Sequence, residues 1–342
     1  MNPIIFILLL FAAFGLLDKI LDNKFGVCEA FDRGIATMGS FMLSVGGFYC
    51  IAVAFLNGHA ELFENSSVLV SSILAPDLGG YAIVNAMTES QSMLVFCGVL
   101  LSSTLGCLIS FQLPIFLNGL DKDEIHFYLK GTMYGIATLV PVLFVVGCML
   151  KVDHFFISFL PVLIVCGILI GLFIVSFDLL IRILTAFSKC VNILGDIFFF
   201  LVCMTFFFGM KYTNETLINE AFHIIFQMTI IVCGSLVLCE LVIRKFSKKL
   251  EQIGNQFGLD IYSVMGLLLS LGTSIAMLPL FSKMNRKGKI CNAAFSLSGA
   301  FVFGGQLGFI ASMNPESVTW FVVVKLIAGI LAFILAYKME SE

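Results

Sequence analysis

An all-α polytopic membrane protein is the fold class this sequence predicts, and three observations carry the prediction. Hydrophobic residues make up 60% of the 342 residues and charged residues only 12%, about half of the ~25% usual in soluble domains. The apolar residues gather into eleven stretches, each near the ~20 residues that a helix needs to cross a bilayer. The polar segments between them are too short to build a soluble domain.

In chain order the stretches are 3–17, 34–56, 67–87, 92–117, 131–150, 155–181, 190–210, 221–243, 259–282, 290–312 and 317–337. The first has no basic residues before it and no small-residue cleavage site after it, so it reads as a retained helix. Stretch 67–87 carries Pro76, Asp77, Gly79 and Gly80, three helix breakers and a charge. Stretch 92–117 has a weak point at Ser102-Ser103-Thr104-Leu105-Gly106, and 290–312 has one at Gly304-Gly305-Gln306. Stretch 259–282 contains Ser270, Thr273 and Ser274, and 317–337 carries Lys325 inside apolar sequence. Eleven cysteines lie mostly within the apolar runs with no CxxC pair, and read as small packing residues.

Basic residues choose the topology, because Lys and Arg accumulate on the cytoplasmic side. If all eleven stretches cross, the loops hold 10 basic residues on one side and 8 on the other. If 67–87 and 259–282 are re-entrant hairpins, 16 lie inside, only Lys151 and Lys211 lie outside, and Lys325 stays within a helix. The expectation is therefore nine crossings and two hairpins, with the N-terminus out and the C-terminus in. That arrangement is symmetric. Residues 1–150 form one repeat with hairpin 67–87, and 190–342 form an inverted repeat with hairpin 259–282. Residues 151–189 hold the linking helix. At an offset of 197, Leu74 falls on Leu271, Asp77 on Ser274 and Met87 on Met284. Inverted repeats with interrupted helices at mid-membrane mark secondary transporters.

Non-helical backbone at membrane depth must be enclosed by protein or line a wet cavity. The breakable stretches are thus the candidate site. Asp77 could neutralise a cationic solute or bind a proton or sodium ion, or it could cap its own turn. Gly79 and Gly80 allow the turn and close approach. Thr273, Ser274 and Gln306 could hold a solute hydroxyl, although Ser and Thr also bond back to helix carbonyls. Asn292 could line the site, cap or pack. Ser103 and Lys325 are candidates for coupling or for structure. Lys325 could snorkel outward, or meet Asp77 or backbone carbonyls. Asp178 with Arg182, and Glu240 with Arg244, have the i,i+4 spacing of helix-surface ion pairs. The net charge of −3 is spread over loops, which suggests no nucleic-acid partner. Nucleotide-loop, zincin and nucleophile-elbow motifs are missing from the sequence, so neither a primary pump nor a common hydrolase is indicated. No cofactor or metal is implied, beyond H⁺ or Na⁺ as a coupling ion.

Four stretches carry a resemblance: "FDRGIATMG" (31–39), "LAPDLGGYAIVNAM" (74–87), "QLPIFLNG" (112–119) and "GKICNAAFSLSGAFVFGGQLGFIASMN" (288–314). In order and spacing they resemble the ethanolamine permeases of the ethanolamine-utilisation pathway (EutH), and "VVVKLIAG" (322–329) extends the match. The resemblance implies a multi-pass protein of the bacterial cytoplasmic membrane that takes up ethanolamine. Asp77 falls on the family's Asp-x-Gly-Gly aspartate, and Asn292 and Lys325 match family positions. The chain departs where the family carries Asn-Asn-Ile-Pro, here Thr273-Ser274-Ile275-Ala276. It departs again where the family carries Gly-Asp-His, here Gly304-Gly305-Gln306. The expected function is a carrier for ethanolamine as its ammonium ion or for a close small amine, embedded in a lipid bilayer. The alternative is an H⁺- or Na⁺-coupled carrier of another small polar solute. A non-transporting membrane sensor or scaffold is the reading from a different class, and the loops are short for its output segment. Subunit number stays open, a homo-oligomer included.

Overall fold

Every regular element in the described residues, 3–59 and 79–341, is helical in this computed structural model. Helix α1 (Pro3–Ile20) turns into α2 (Cys28–Phe41), which passes through one π turn, Met42–Gly46, into α3 (Gly47–His59). After α4 (Gly79–Met87) come α5 (Gln91–Gly119), α6 (Lys122–Met149), α7 (Phe155–Val175), α8 (Phe177–Phe208) and α9 (Glu215–Gln256). The C-terminal part holds α10 (Ile261–Gly272), α11 (Leu278–Phe281), α12 (Arg286–Gly299), α13 (Gly305–Met313) and α14 (Val318–Met339).

Seven helices among the described residues are long and apolar enough to cross a membrane: α1, α5, α6, α7, α8, α9 and the run ending in α14. Helices overrun several apolar stretches. Helix α8 starts at Phe177, not at 190, because 182–189 keeps good helix formers and the chain bends only at Ser176. Helix α9 continues to Gln256 through Lys248, Lys249 and Glu251 for the same reason. Of the two i,i+4 pairs, Arg244 meets Glu240 at 2.9 Å. Asp178 and Arg182 form no ion pair among the described residues. The outer faces of α7 and α8 are bare hydrocarbon: Ile174 is 76%, Val175 85% and Phe207 74% exposed. Water would not tolerate such a surface, and lipid would. The chain is a polytopic helical membrane protein.

The described residues group into two compact units. One draws on Met1–Gly39, Gly119–Gly135 and Phe226–Glu342. Its first turn is locked by Asp18, fully buried, whose carboxylate accepts the backbone N–H groups of Phe25 at 2.6 Å, Val27 at 2.7 Å and Cys28 at 3.0 Å. Helix α1 lies tight on α9: a Cβ at Gly234 would sit 1.9 Å from the Leu8 carbonyl oxygen. Small residues permit such approach in membranes, where packing rather than the hydrophobic effect joins helices. Ion pairs fasten the helix ends on one side of this unit. Lys130 meets Glu340 at 2.5 Å, and Lys289 meets Glu124 at 2.9 Å.

The other unit draws on Ser40–Asn118 and Ile136–Ile225. Its centre is α5, whose apolar window is wholly buried. From Leu94 to Gly106, and again from Leu108 to Gln112, α5 is wound as a π-helix. Such winding is rare beyond a single turn. A phenylalanine cluster braces its start. Phe96 meets Phe155 at 5.5 Å, edge to face, and Phe155 stacks on Phe159 at 5.2 Å.

Candidate functional site

The second predicted hairpin is a helix, a break and a short helix. Helix α10 is N-capped by Asp260, whose Oδ1 accepts the Ser263 N–H at 2.8 Å while Oδ2 accepts the Asn285 N–H. It runs as far as Gly272. Thr273 is extended (φ −160°, ψ 130°), Ser274–Met277 is a 3₁₀ turn, and α11 follows with Pro279 in its first turn. Glycine, threonine and serine in succession at 272–274 weaken the helix locally, and it ends there.

Helix α12, capped by Asn285 on the Gly288 N–H at 2.7 Å, also stops inside apolar sequence. The chain leaves the helix at Ala300 and re-enters one at Gly305. In between, it runs along the end of α10: Phe301 N–H donates to Ser270 O at 2.9 Å, and Phe303 N–H to Leu271 O at 2.9 Å. Two carbonyls freed by the first break are thus satisfied by amides freed by the second. The approach at Gly304 is close, since a Cβ there would sit 1.7 Å from the Gly272 carbonyl oxygen. Phe301, buried, has φ +62°. A bulky side chain rarely adopts this conformation, and such strain concentrates where a structure needs an exact backbone path.

Three predicted site residues come off this crossing. Thr273 and Ser274 follow Gly272, and Gln306 follows Gly304-Gly305. All three are buried. Ser274 Oγ and Gln306 Nε2 have no protein hydrogen-bond partner among the described residues. Buried polar groups are nearly always bonded, so each such exception asks for an explanation. A polar group of a solute, or a water molecule, would satisfy either. Lys325 belongs to the same place. Its side chain does not snorkel: the residue is 1% exposed, and Nζ donates to Gln306 Oε1 at 2.9 Å and lies 5.3 Å from the centre of the Phe321 ring. The pairing with Gln306 was not among the partners expected for Lys325. Its signal in the sequence is that both are long polar side chains in otherwise apolar C-terminal sequence.

The remaining predicted residues lie elsewhere. Asn292 ties α12 to α10, its Nδ2 donating to Ser263 O at 3.0 Å and to Gly288 O at 2.9 Å. Ser103 sits in the π-helical part of α5, its Oγ donating to Leu100 O at 3.3 Å. The stretch around it, expected to be a second weak point, is helical throughout. Gly79 and Gly80 open α4. Asp77, with the rest of hairpin 67–87 before Gly79, lies outside the described residues. Among those described, no three His, Cys, Asp or Glu side chains gather as metal ligands.

Comparison with known proteins agrees with the resemblance read from the sequence. The family model "Ethanolamine utilisation protein, EutH" matches residues 1–339. A "Probable ethanolamine permease EutH" of Listeria monocytogenes is 28% identical over 357 aligned residues, covering 99% of this chain and 94% of its own. The "Uncharacterized protein YxeR" of Bacillus subtilis is 28% identical, covering 97% and 92%. A "Probable ethanolamine permease EutH" of Salmonella typhimurium is 23% identical, covering 99% and 95%. No solved structure matches. With nearly its whole length matched, the chain belongs to the ethanolamine utilisation protein EutH family.

Proposed function

We propose that this chain is a membrane carrier that takes up ethanolamine as its ammonium ion, or a close small amine. The observation that carries the proposal is the crossing of two helix breaks, where Ser274 Oγ and Gln306 Nε2 are buried without a protein partner among the described residues. In this family, relatives are named as probable ethanolamine permeases. A small solute with a hydroxyl would supply what those groups lack. In this reading Thr273, Ser274 and Gln306 take the hydroxyl, and Asp77 supplies the counter-charge for the ammonium. Gly79 and Gly80 let the backbone approach. A carrier is needed because the neutral amine can cross lipid, whereas burying an unpaired charge there is prohibitive.

The proposed topology has nine crossings and two re-entrant hairpins in two inverted repeats, N-terminus out and C-terminus in, within the bacterial cytoplasmic membrane. The basic-residue asymmetry supports it. In a cysteine-free background, a thiol at Glu89 should label from outside and one at Arg286 from inside only. The reverse accessibility at either position would undo the hairpins. The function is tested by uptake of labelled ethanolamine into proteoliposomes at acidic and neutral pH, for wild type and Asp77→Asn. Normal uptake by Asp77→Asn would remove Asp77 from the mechanism, and none by wild type would remove the substrate.

The buried cation of Lys325 favours a second reading, an H⁺- or Na⁺-coupled carrier of another small polar solute with Asp77 as the ion site. Competition by choline, amino acids and nucleobases, with and without sodium, separates the two.

A further inference from the structure

Lys325 does more than add charge to the crossing. An ammonium group can only donate, so the Gln306 atom facing it at 2.9 Å must be the carbonyl oxygen. An amide whose oxygen is held cannot rotate to present that oxygen elsewhere. The free end of Gln306 is then Nε2, with two donors, fully buried and without a protein partner among the described residues. Gln306 also sits in the first turn of α13, a nine-residue helix whose N-terminus carries partial positive charge. The groups gathered here are an ammonium, an amide NH₂ and a helix N-terminus, with the Ser274 hydroxyl beside the crossing. An amide nitrogen held outward in this way, beside a helix N-terminus, binds a hydrogen-bond acceptor.

We propose that Lys325 is a positioning residue that fixes the Gln306 amide as a donor. The crossing thereby reads the oxygen lone pairs of the solute. The inference rests on the ethanolamine reading above and adds direction to it: oxygen end at Gln306, nitrogen end elsewhere. It also makes the hydroxyl a requirement. An analogue without it would leave the Gln306 donors buried and unmatched, which penalises binding more than a missing apolar contact does.

The test is competition for uptake of labelled ethanolamine by unlabelled ethylamine, which lacks the hydroxyl, in proteoliposomes of the full chain. Wild type should prefer ethanolamine over ethylamine by about tenfold or more. Gln306→Met, and Gln306→Glu whose carboxylate still pairs with Lys325 but offers no donor, should each shrink that preference to about threefold or less. Lys325→Met should shrink it too, because the amide is freed to turn, and Lys325→Arg should restore it. A merely structural role would lower uptake of both amines together and leave their ratio unmoved. An unmoved ratio in a Gln306 variant that still carries ethanolamine overturns the inference. If neither Gln306 variant folds, an unmoved ratio in Lys325→Met overturns it. Wild type that carries no ethanolamine overturns the ethanolamine reading and this inference with it. Ethanolamine uptake with an unmoved ratio overturns this inference alone.

Discussion

Two stretches of this chain combine small and polar residues in apolar sequence, and they resolve the same conflict in opposite ways. In α5, Ser102 through Gly106 stays helical. Thr104 Oγ1 donates to Leu100 O at 2.7 Å and Ser110 Oγ to Gly106 O at 2.7 Å, while the backbone widens into π turns. In the C-terminal part the helices stop, and the freed amides of Phe301 and Phe303 cross to the carbonyls of Ser270 and Leu271. In α5 the backbone is satisfied within its own helix, although Ser102 Oγ too is buried without a protein partner among the described residues. Satisfaction between two broken segments settles the backbone but leaves side chains, Ser274 and Gln306, with capacity to spare. Two weak segments can therefore both stop inside apolar sequence when each takes the other's backbone groups, and they bring polar side chains of two helices together.

The largest test of this contrast is a methyl group placed in each region. Gly304→Ala puts a Cβ against backbone oxygen at 1.7 Å, which nothing nearby can relieve. It should cost about 3 kcal/mol or more and abolish uptake. Gly98→Ala meets Leu94 Cδ1 at 3.1 Å and Tyr81 Cδ2 at 3.2 Å, side chains that can give. It should cost under about 1 kcal/mol. Equal losses of melting temperature in detergent would erase the distinction. Asn292→Ala comes next. It removes two buried hydrogen bonds, one to Gly288 O within α12 and one to Ser263 O that joins α12 to α10, at about 1–3 kcal/mol. If the melting temperature does not fall, the tie is ornamental.

Ser274→Ala sharpens the comparison because its two readouts should diverge. The buried hydroxyl has no protein partner among the described residues, so its removal should leave stability level or raise it by about 1 kcal/mol. Ethanolamine uptake should nevertheless fall several-fold. A parallel drop in both would make Ser274 structural. Thr104→Val is the smallest change. Its hydroxyl bonds only into its own helix among the hydrogen bonds seen, so stability should move by about 1 kcal/mol or less and uptake little. A large loss of uptake would give α5 a role that its geometry does not suggest.

Much of this was legible in the residues. Glycine with Ser and Thr marked a break within 271–276, and Gly304-Gly305-Gln306 marked only the far edge of the second break, which runs from Ala300 to Gly304. The same local signal also marked 102–106, and there it misled. Whether a weakened helix breaks depends on what encloses it, and a fully buried α5 has nowhere to send unpaired amides. Phe301 was not legible at all: with Gly304 and Gly305 nearby, nothing in the composition places the positive φ on a phenylalanine. Nor was the Lys325–Gln306 pair, since nineteen positions separate its members and only the fold of α13 against α14 joins them. Residues 60–78, with Asp77 among them, rest on the sequence alone.

The Asp18 turn has a consequence for how the chain is made. All three amides held by its carboxylate come from Phe25, Val27 and Cys28, at most ten residues away. Closing so short a loop takes tens of nanoseconds, against synthesis at several residues per second. The corner between α1 and α2 can therefore set as soon as Cys28 leaves the ribosome, long before α9 exists for α1 to pack against. The opening hairpin would then reach the membrane with its corner already shaped, a template on which the later helices assemble.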